Sequence, residues 1–344
     1  MRLLNAKGAA AILMEVETGR IISLASLPDF DPNHRPKLPS RGSAAESPLF
    51  NKAIQGVYEL GSTFKIFTVA QALELGLVDP KTKINTKGPI RMGGHKINDY
   101  RSNGPELPVW EVITESSNLG TARIAKMIGP EKQREFLSSL GFSKPTTIEM
   151  IEANGGKPLL PKRWNELETM TISYGHGLSA TPLHLATGYA TLANGGRLVN
   201  PTLLQEVKPV LGPRVISKEV AENSLAMLRG VVTGGTASLA DVDGYFVGGK
   251  TGTADKPSSQ GGYDKEKNIT NFASIFPINE PKYVLIVTLD EAQDTSGPEP
   301  KRTAGWTAVP VSAEIIARVA PLLGLRPKFD NHSTIGITLS NWQE

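Results

Sequence analysis

The feature that most constrains the fold of this chain is that strand-like segments occur only near its two ends. Residues 10–27 contain two short apolar runs around Gly19, a pattern that predicts a β-hairpin. Three further segments, 245–254, 269–277 and 282–291, are rich in β-branched and aromatic residues and are separated by polar, glycine-containing loops. A sheet that uses all of these segments must bring the two ends of the chain together.

Helix-like segments occupy the long stretch between these ends. Apolar positions at helical spacing, good helix formers, and Gly or Asn past the segment ends predict helices there. The predicted helical segments are 62–75, two within 107–130 that meet near residues 115–118, then 130–141, 181–196 and 217–235, with a closing amphipathic helix over 308–324. Residues 29–48, rich in Pro and Ser, are predicted to form an exposed loop.

This order predicts an α/β protein of the α+β type. The N-terminal hairpin and the late strands form one antiparallel sheet of about five strands, flanked by helices and interrupted by an inserted all-helical subdomain. We expect the sheet subdomain to comprise residues 1–60 together with 235–325, and the helical subdomain to comprise residues 61–234. Residues 326–344 are predicted to be a polar C-terminal tail.

The composition excludes several classes of function. The formal charge of the 344 residues is only +3 and no face dense in Lys and Arg is visible, so no nucleic-acid partner is predicted. The absence of cysteine rules out disulfides, thiolate metal sites and cysteine nucleophiles. Neither a signal peptide nor a run of about 18 apolar residues is visible. If the protein works outside the cytoplasm, we expect its export segment to be missing from this chain.

The stretch "YELGSTFKIF" places Ser62 and Lys65 three residues apart at the start of a predicted helix. At this spacing both side chains point to the same face. A lysine there can take the proton of the serine hydroxyl if burial or a neighbouring cation lowers its pKa. The alternative is a serine that caps a helix beside a solvated lysine, and one such match is expected by chance in a chain of this length.

A second polar group, Ser116 and Asn118, lies at the junction of two predicted helices. A hydroxyl and a carboxamide side by side suit proton relay and the binding of a substrate amide. Ser and Asn are also preferred at helix N-termini, so a simple cap is the alternative. Taken alone, this pair indicates a site less strongly than the pair formed by Ser62 and Lys65.

A third group, Lys250-Thr251-Gly252-Thr253, lies on a predicted strand. The lysine and threonines could bind a carboxylate, and the glycine would let another backbone approach the strand closely. The alternative is a surface strand that leads into a turn. The overlapping run Gly244–Thr251 also satisfies the phosphate-loop pattern letter by letter, but the flanking sequence lacks the preceding strand and the following helix that such a loop requires.

Metal and cofactor chemistry is poorly supported by the sequence. Among the five histidines, only the pair His176 and His184 approaches a metal-ligand spacing, and it lacks the H-E-x-x-H pattern. We therefore expect no metal site and no cofactor.

The conjunction of the three groups is more informative than any one of them. S-x-x-K, S-x-N and K-T-G each occur once, in that order. In this respect the sequence resembles the penicillin-recognising serine transferases. The segments "LFNKAIQGVYELGSTFK", "ESSNLGTARIA", "YGHGLSATPLHLATGYATLANGG" and "VGGKTGTADK" are similar to the transpeptidase domain of class B penicillin-binding proteins, and most similar to the division-specific septal type, penicillin-binding protein 3.

The resemblance implies a role for each group in acyl transfer. Ser62 would be the nucleophile, Lys65 its base, and Lys250 would help to hold Lys65 neutral. Ser116 would relay a proton to the leaving amine. The other implied residues bind the substrate. Asn118 would hold an amide of the substrate, and Thr251 and Thr253, on either side of Gly252 in the same substrate-binding strand, would hold its carboxylate. The backbone N–H groups of Ser62 and Thr253 would form the oxyanion hole.

The resemblance also implies partners and a location. The substrates would be peptidoglycan stem peptides, with β-lactam antibiotics bound covalently at Ser62. The full-length form would carry a membrane anchor and a non-catalytic pedestal domain that this chain lacks. It would sit in the bacterial inner membrane, with the catalytic domain in the periplasm, beside division proteins that include a glycosyltransferase.

Three alternatives remain open at this point. A D,D-carboxypeptidase or β-lactamase would use the same residues and pass the acyl group to water. A β-lactam sensor would be acylated without turnover, and a nucleotide-binding protein would use Gly244–Thr251. The E-x-x-L-N segment that supplies the water-activating glutamate in class A β-lactamases does not occur, and its nearest substitutes, Glu166 and Glu168, lack the pattern.

Overall fold

A computed structural model describes residues 1–37, 43–205, 212–258, 261–329 and residue 342. The described part of the chain contains strands β1 (Gly8–Glu15), β2 (Ile21–Leu27), β3 (Tyr58–Glu59), β4 (Lys83–Asn85), β5 (Ile90–Met92), β6 (His95–Ile97), β7 (Glu106–Pro108), β8 (Ser179–Ala180), β9 (Gly248–Pro257), β10 (Tyr263–Phe276) and β11 (Tyr283–Asp290). It also contains helices α1 (Lys65–Glu74), α2 (Val109–Thr114), α3 (Asn118–Ile128), α4 (Pro130–Ser139), α5 (Glu166–Ser173), α6 (Pro182–Ala193), α7 (Lys218–Thr233) and α8 (Ala308–Leu322).

The five long strands form one antiparallel sheet in the order β2-β1-β11-β10-β9. The first strand pairs with the last one, with Gly8 opposite Asp290 and Glu15 opposite Tyr283. The predicted five-stranded sheet, made from both ends of the chain, is therefore confirmed. Strand β9, which carries the K-T-G run, lies at one edge of this sheet.

The sheet is covered on both faces. Every residue of β11 from Val284 to Leu289 is buried, and so are neighbouring positions such as Ile12, Leu13 and Met14 of β1. Successive strand residues point to opposite faces, so continuous burial requires cover on each side. Helices α6 and α8 both pack against the sheet, and helix α7 packs against β9. The edge strand β9 is thereby placed beside the helical part of the molecule.

The helix prediction is confirmed for the longer helices. Helix α6 begins as expected at Pro182, and Thr181 caps it by accepting a hydrogen bond from the backbone N–H of His184 at 3.2 Å. Helix α5 was not predicted. It has only eight residues and is stabilised at its start by a reciprocal cap between Asn165 and Glu168, a local pattern that is easily missed between loops.

Three small two-stranded sheets also involve the stretch that was predicted to be all-helical, and five of their six strands lie within it, while β3 lies just before it. These pair β3 with β8, β4 with β7, and β5 with β6. Each strand has only two or three residues, which is too short for an alternating pattern to show in the sequence. The proposed boundaries between the sheet and helical subdomains stay predictions. The predicted tail, residues 326–344, lies largely outside the described residues, as does part of the predicted loop at 29–48.

Candidate active site

Ser62 lies in a short 3₁₀ turn, Gly61–Phe64, that leads directly into helix α1. The sequence predicted a helix from Ser62, whereas the α-helix begins three residues later, at Lys65. In a 3₁₀ turn, residues three apart are eclipsed, so the two side chains still share one side of the chain. Two buried hydrogen bonds hold the turn: the Thr63 hydroxyl donates to the Leu60 carbonyl at 2.8 Å, and the Tyr189 hydroxyl donates to the Thr63 carbonyl at 2.9 Å.

Lys65 is fully buried and points toward the junction of helices α2 and α3. Its Nζ donates a hydrogen bond to the Ser116 hydroxyl at 3.0 Å and another to the Ser116 carbonyl oxygen. Ser116 has a φ of 60°, a left-handed conformation that is uncommon for serine. This conformation turns the chain between the two helices at the point where both oxygens of the residue meet the lysine.

Lys250 reaches the same hydroxyl from the opposite side. It lies on β9 and is fully buried, and its Nζ donates to the Ser116 hydroxyl at 2.9 Å. The structure therefore brings together one residue from each of the three groups found in the sequence: Lys65, Ser116 and Lys250. Three parts of the chain that are distant in sequence therefore meet at one hydroxyl group. The alternatives of simple helix caps and a surface strand do not predict this meeting.

Burial changes the charge state of both lysines. Burial, reinforced by the nearby positive charge of Lys250, holds the pKa of Lys65 well below its usual range, and Asp99 opposes the shift. Burial lowers the pKa of Lys250 to about 7, and Glu115 opposes that shift. Both shifts favour the neutral amine, which is the form that can accept a proton from a hydroxyl.

The K-T-G strand packs directly on the turn Gly61–Phe64, which is called the nucleophile turn after the role predicted for Ser62. A Cβ added at Gly252 would clash with the carbonyl oxygen of Leu60 and would lie 2.9 Å from Cγ2 of Thr63. Gly61, at φ 58°, faces the same strand, and a Cβ there would lie 2.9 Å from the backbone nitrogen of Thr253. The predicted close approach of another backbone at Gly252 is thus confirmed, and the approaching backbone is the turn that carries Ser62.

The two threonines of this strand have hydrogen-bond partners on neighbouring elements, and Thr253 keeps its own hydroxyl proton free to donate. The Thr251 hydroxyl shares a hydrogen bond of 2.8 Å with the hydroxyl of Thr236. The Thr253 hydroxyl accepts a hydrogen bond from the backbone N–H of Ala304 at 3.1 Å. A hydroxyl that accepts one bond still has its own proton to donate. Thr236 was missed in the sequence because an isolated threonine after a helix carries no pattern.

Asn118 is the first residue of helix α3, and its side-chain amide donates to the carbonyl oxygen of Asn98 at 2.9 Å. The helix cap is Ser117, whose hydroxyl donates to Asp99 at 2.7 Å. The second carboxylate oxygen of Asp99 accepts from the backbone N–H of Leu119 at 2.9 Å. Asp99 therefore anchors the start of the helix next to Ser116. No local signal marks it, because its partners lie far along the chain.

The competing motifs do not form the sites they would require. Residues 248–251 of the phosphate-loop match belong to strand β9, and this strand continues to Pro257 instead of opening a helix. His184 is buried, donates through Nε2 to the Lys144 carbonyl at 2.7 Å, and has its pKa lowered by burial to about 4. Within the residues described, no group of three or more His, Asp or Glu side chains could hold a metal ion.

Comparison with known proteins assigns this arrangement to a family. A family model described as the penicillin-binding protein transpeptidase domain matches residues 9–316. The chain belongs to the penicillin-binding protein transpeptidase domain family. This transpeptidase domain is 33% identical to the apo transpeptidase domain of penicillin-binding protein 3 from Burkholderia pseudomallei, with a TM-score of 0.81 over 94% of this chain and 91% of that one.

Several curated relatives of this transpeptidase domain are named as peptidoglycan D,D-transpeptidases. It is 34% identical to a probable peptidoglycan D,D-transpeptidase FtsI of Caulobacter vibrioides, over 94% of this chain and 55% of that protein. It is 31% identical to the peptidoglycan D,D-transpeptidase FtsI of Escherichia coli K12, over 94% of this chain and 53% of that protein. The transpeptidase domain thus spans about half the length of these relatives. No helix in its described part is long and apolar enough to cross a membrane.

Proposed function

We propose that this domain is a serine-type peptidoglycan D,D-transpeptidase that cross-links stem peptides during septal cell-wall synthesis. The observation that carries the proposal is the cluster of two buried lysines of lowered pKa that share the hydroxyl of Ser116, next to the turn that presents Ser62. The names of the relatives support the substrate class, and they do not favour a β-lactamase, a carboxypeptidase or a sensor.

In the first half-reaction, Ser62 Oγ attacks the carbonyl carbon of the penultimate D-Ala of a stem peptide. The hydroxyl proton passes to the neutral amine of Lys65 as the new C–O bond forms. When the tetrahedral intermediate collapses, the C–N bond to the terminal D-Ala breaks. The leaving amine takes a proton through the hydroxyl of Ser116, which already touches both lysines. The products are an ester on Ser62 and free D-Ala.

Charge that develops on the carbonyl oxygen needs donors already in place. The backbone N–H groups of Ser62 and Thr253 are the proposed oxyanion hole, and the packing of Gly61 on Thr253 supports their being neighbours. Removing one such donor typically costs about 3 kcal/mol of transition-state stabilisation. Thr251 and Thr253 would bind the substrate carboxylate and Asn118 its amide, while Gly252 lets the strand pack this close to the nucleophile.

In the second half-reaction, an amino group from a neighbouring stem peptide attacks the ester. Lys65, protonated in the first step, has returned its proton to the leaving amine and can take one from the incoming amine. The new amide bond is the cross-link, the C–O bond to Ser62 breaks, and the serine oxygen takes back the proton from Lys65. A β-lactam enters the same route: Ser62 Oγ bonds to the ring carbonyl, the ring C–N bond breaks, and the nitrogen takes the proton.

The decisive experiment is covalent labelling by penicillin. We expect wild-type protein to gain the mass of one penicillin molecule and Ser62→Ala to gain none, because the variant has no oxygen nucleophile at that position. Intact-mass spectrometry measures both. Ser102→Ala, which removes an exposed hydroxyl elsewhere in the chain, is the matched control and should label like wild type. A penicilloyl adduct on folded Ser62→Ala would show that the nucleophile is another residue.

We propose further that the full-length protein is anchored in the bacterial inner membrane, with this domain in the periplasm beside division proteins that include a glycosyltransferase. The FtsI names of the relatives support this role. A fluorescent fusion of the full-length protein should concentrate at midcell in dividing cells. A fusion spread evenly around the cell envelope would count against the septal role without affecting the proposed chemistry.

A further inference from the structure

Glu59 lies three residues before Ser62, on the short strand β3, and has no part in the mechanism above. Its Oε1 accepts two hydrogen bonds, from the backbone N–H of Gly177 at 2.7 Å and from the hydroxyl of Tyr263 at 3.0 Å. Its Oε2 is shielded from solvent and has no hydrogen-bond partner among the residues described. Burying a carboxylate oxygen without a hydrogen bond lowers the stability of the folded protein, so the presence of Glu59 at this position calls for an explanation.

The two donors come from elements that are far apart in the chain. Gly177 belongs to the loop between α5 and β8, and this loop also touches the nucleophile turn, because the Gly61 N–H donates to the Gly175 carbonyl at 3.1 Å. Tyr263 begins β10 and pairs with Pro257 at the far end of β9. The Glu59 carboxylate therefore links the loop and the β9–β10 hairpin to the segment that carries Ser62.

The tyrosines beside Glu59 are suited to remain donors. Burial, then the negative charge of Glu59, raises the pKa of Tyr174 to about 12. Burial and the same carboxylate raise the pKa of Tyr263 further above its usual range. Both phenols keep their protons at physiological pH, so the Tyr263 hydroxyl remains able to donate its hydrogen bond to Glu59.

The elements that Glu59 links carry the two N–H groups whose spacing matters when the oxyanion forms. The two proposed oxyanion donors, the N–H groups of Ser62 and Thr253, belong to different elements: one to the nucleophile turn, the other to the β9–β10 hairpin. Their separation depends on how firmly the turn and the hairpin are held together. Donors that are preorganised for the oxyanion stabilise the transition state and contribute little to the binding of the uncharged carbonyl group.

We propose that Glu59 is a positioning residue that fixes the nucleophile turn, the Gly175–Gly177 loop and the β9–β10 hairpin relative to one another, and so sets the spacing of the two oxyanion donors. The inference rests on the proposed acyl-transfer function. It assigns to Glu59 an effect on the rate of acylation, separate from any effect on the reversible binding of substrate or β-lactam.

The test is single-turnover acylation by a fluorescent penicillin, with the limiting rate and the reversible dissociation constant measured separately. We expect Glu59→Ala to lower the limiting rate about 10- to 100-fold, as for small misplacements of reacting groups. The dissociation constant should change by less than about threefold. Glu59→Gln should recover most of the rate, because its amide oxygen can accept both hydrogen bonds.

Two further variants complete the test, one that breaks the same link at its other end and one that serves as a control. Tyr263→Phe removes only the bond to the hairpin and should slow acylation severalfold, and it should add little in combination with Glu59→Ala because both changes break the same link. Glu106→Ala removes an exposed carboxylate that pairs with Lys83 and should leave the rate unchanged. If Glu59→Ala does not fold, Glu59→Gln and Tyr263→Phe decide the question.

The outcomes separate this inference from the proposed function. If wild-type protein is not acylated, the proposed function itself fails. If wild type is acylated and folded Glu59→Ala matches its rate, the positioning role is wrong. A loss that appears mainly in the dissociation constant, or a Glu59→Gln variant as slow as Glu59→Ala, would also overturn it. A slow Glu59→Ala with near-normal binding and rescue by Gln would support it.

Discussion

At the scale of single residues, the distinctive feature is that two lysines are kept away from water, with no ion pair to a carboxylate among the residues that the structure describes. Each unit by which a pKa is lowered corresponds to about 1.4 kcal/mol between the two protonation states. Because its pKa is lowered to about 7, Lys250 reduces the free energy of unfolding at neutral pH by an amount on the order of several kcal/mol. Burial of these amines therefore does not contribute to stability, and it fits the proposed role of Lys65 as a base.

The first prediction at this scale concerns stability and pH. Between about pH 7 and the ordinary lysine pKa, the unfolded chain holds a proton on residue 250 that the folded protein has lost. The unfolded state then binds more protons, so the free energy of unfolding should rise with pH across this window. Lys250→Met should reduce that rise by up to about 1.4 kcal/mol per pH unit. Urea unfolding at several pH values between 7 and 10 measures it.

The control for this prediction is Lys218→Met, which removes an exposed lysine that pairs with Glu222 on α7. Its pH dependence should match that of wild type. An unchanged slope in Lys250→Met would mean that Lys250 remains protonated in the folded protein up to its ordinary pKa. The neutral amine of the site would then have to be that of Lys65, whose pKa the retained positive charge of Lys250 would still lower.

At the scale of elements, the site depends on the contact between the nucleophile turn and strand β9. Both partners have glycine at the contact, Gly61 on the turn and Gly252 on the strand. At both glycines the nearest atom that a side chain would meet is a backbone atom of the opposing element, which cannot rotate away. The absence of two side chains therefore allows the two elements to approach this closely.

We predict that Gly252→Ala pushes β9 away from the turn. Overpacking of this kind typically costs about 1–3 kcal/mol of stability. Acylation by penicillin should fall by more than the loss of folded protein, because Lys250 and Thr253 move with the strand. The thermal midpoint and the acylation rate of the same sample measure the two effects.

Gly297→Ala is the matched substitution for this prediction. Gly297 has open space where a Cβ would lie, so the added methyl group should change neither the midpoint nor the rate. If Gly252→Ala acylates at the wild-type rate, the close packing of strand and turn is not needed for the chemistry.

Some elements and residues of this site could be predicted from the sequence, and others could not. The three motif groups and the antiparallel sheet were predictable, because each carries a local pattern of residue types or periodicity. Glu59 and Asp99 were not, since each is defined by partners elsewhere in the chain: Glu59 meets Gly177 and Tyr263, and Asp99 meets Ser117. The roles given to Ser62, Lys65, Ser116 and Lys250 stay predictions until acylation is measured.

At the scale of the whole molecule, the fate of the acyl-enzyme depends on whether any part of the fold can activate water. The two glutamates nearest to a β-lactamase pattern lie on or before the first turn of α5. Glu166 forms an exposed ion pair with Lys126 at 2.8 Å, and Glu168 contributes to the helix cap with Asn165. Both are engaged away from the lysine pair, which leaves Lys65 as the proposed base for both half-reactions.

We therefore predict a penicilloyl adduct that lasts from many minutes to hours. The opened β-lactam keeps its leaving group tethered, and this group shields the ester from an attacking molecule, whereas the natural intermediate has lost its D-Ala. The measurement is intact mass against time after free penicillin is removed. Loss of the adduct within seconds, with many turnovers of a chromogenic cephalosporin, would favour the β-lactamase alternative instead.

The pairing of the first strand with the last has a consequence for how the domain is made. Because β1 lies between β2 and β11, the central part of the sheet cannot form until residues 283–290 are available. A ribosome that adds about 5–20 residues per second needs on the order of tens of seconds to pass from one strand to the other. During that interval the apolar β1–β2 hairpin has no permanent neighbour. We expect nascent chains to need a chaperone-like binding partner that covers this hairpin, and folding to complete only late in synthesis or after release.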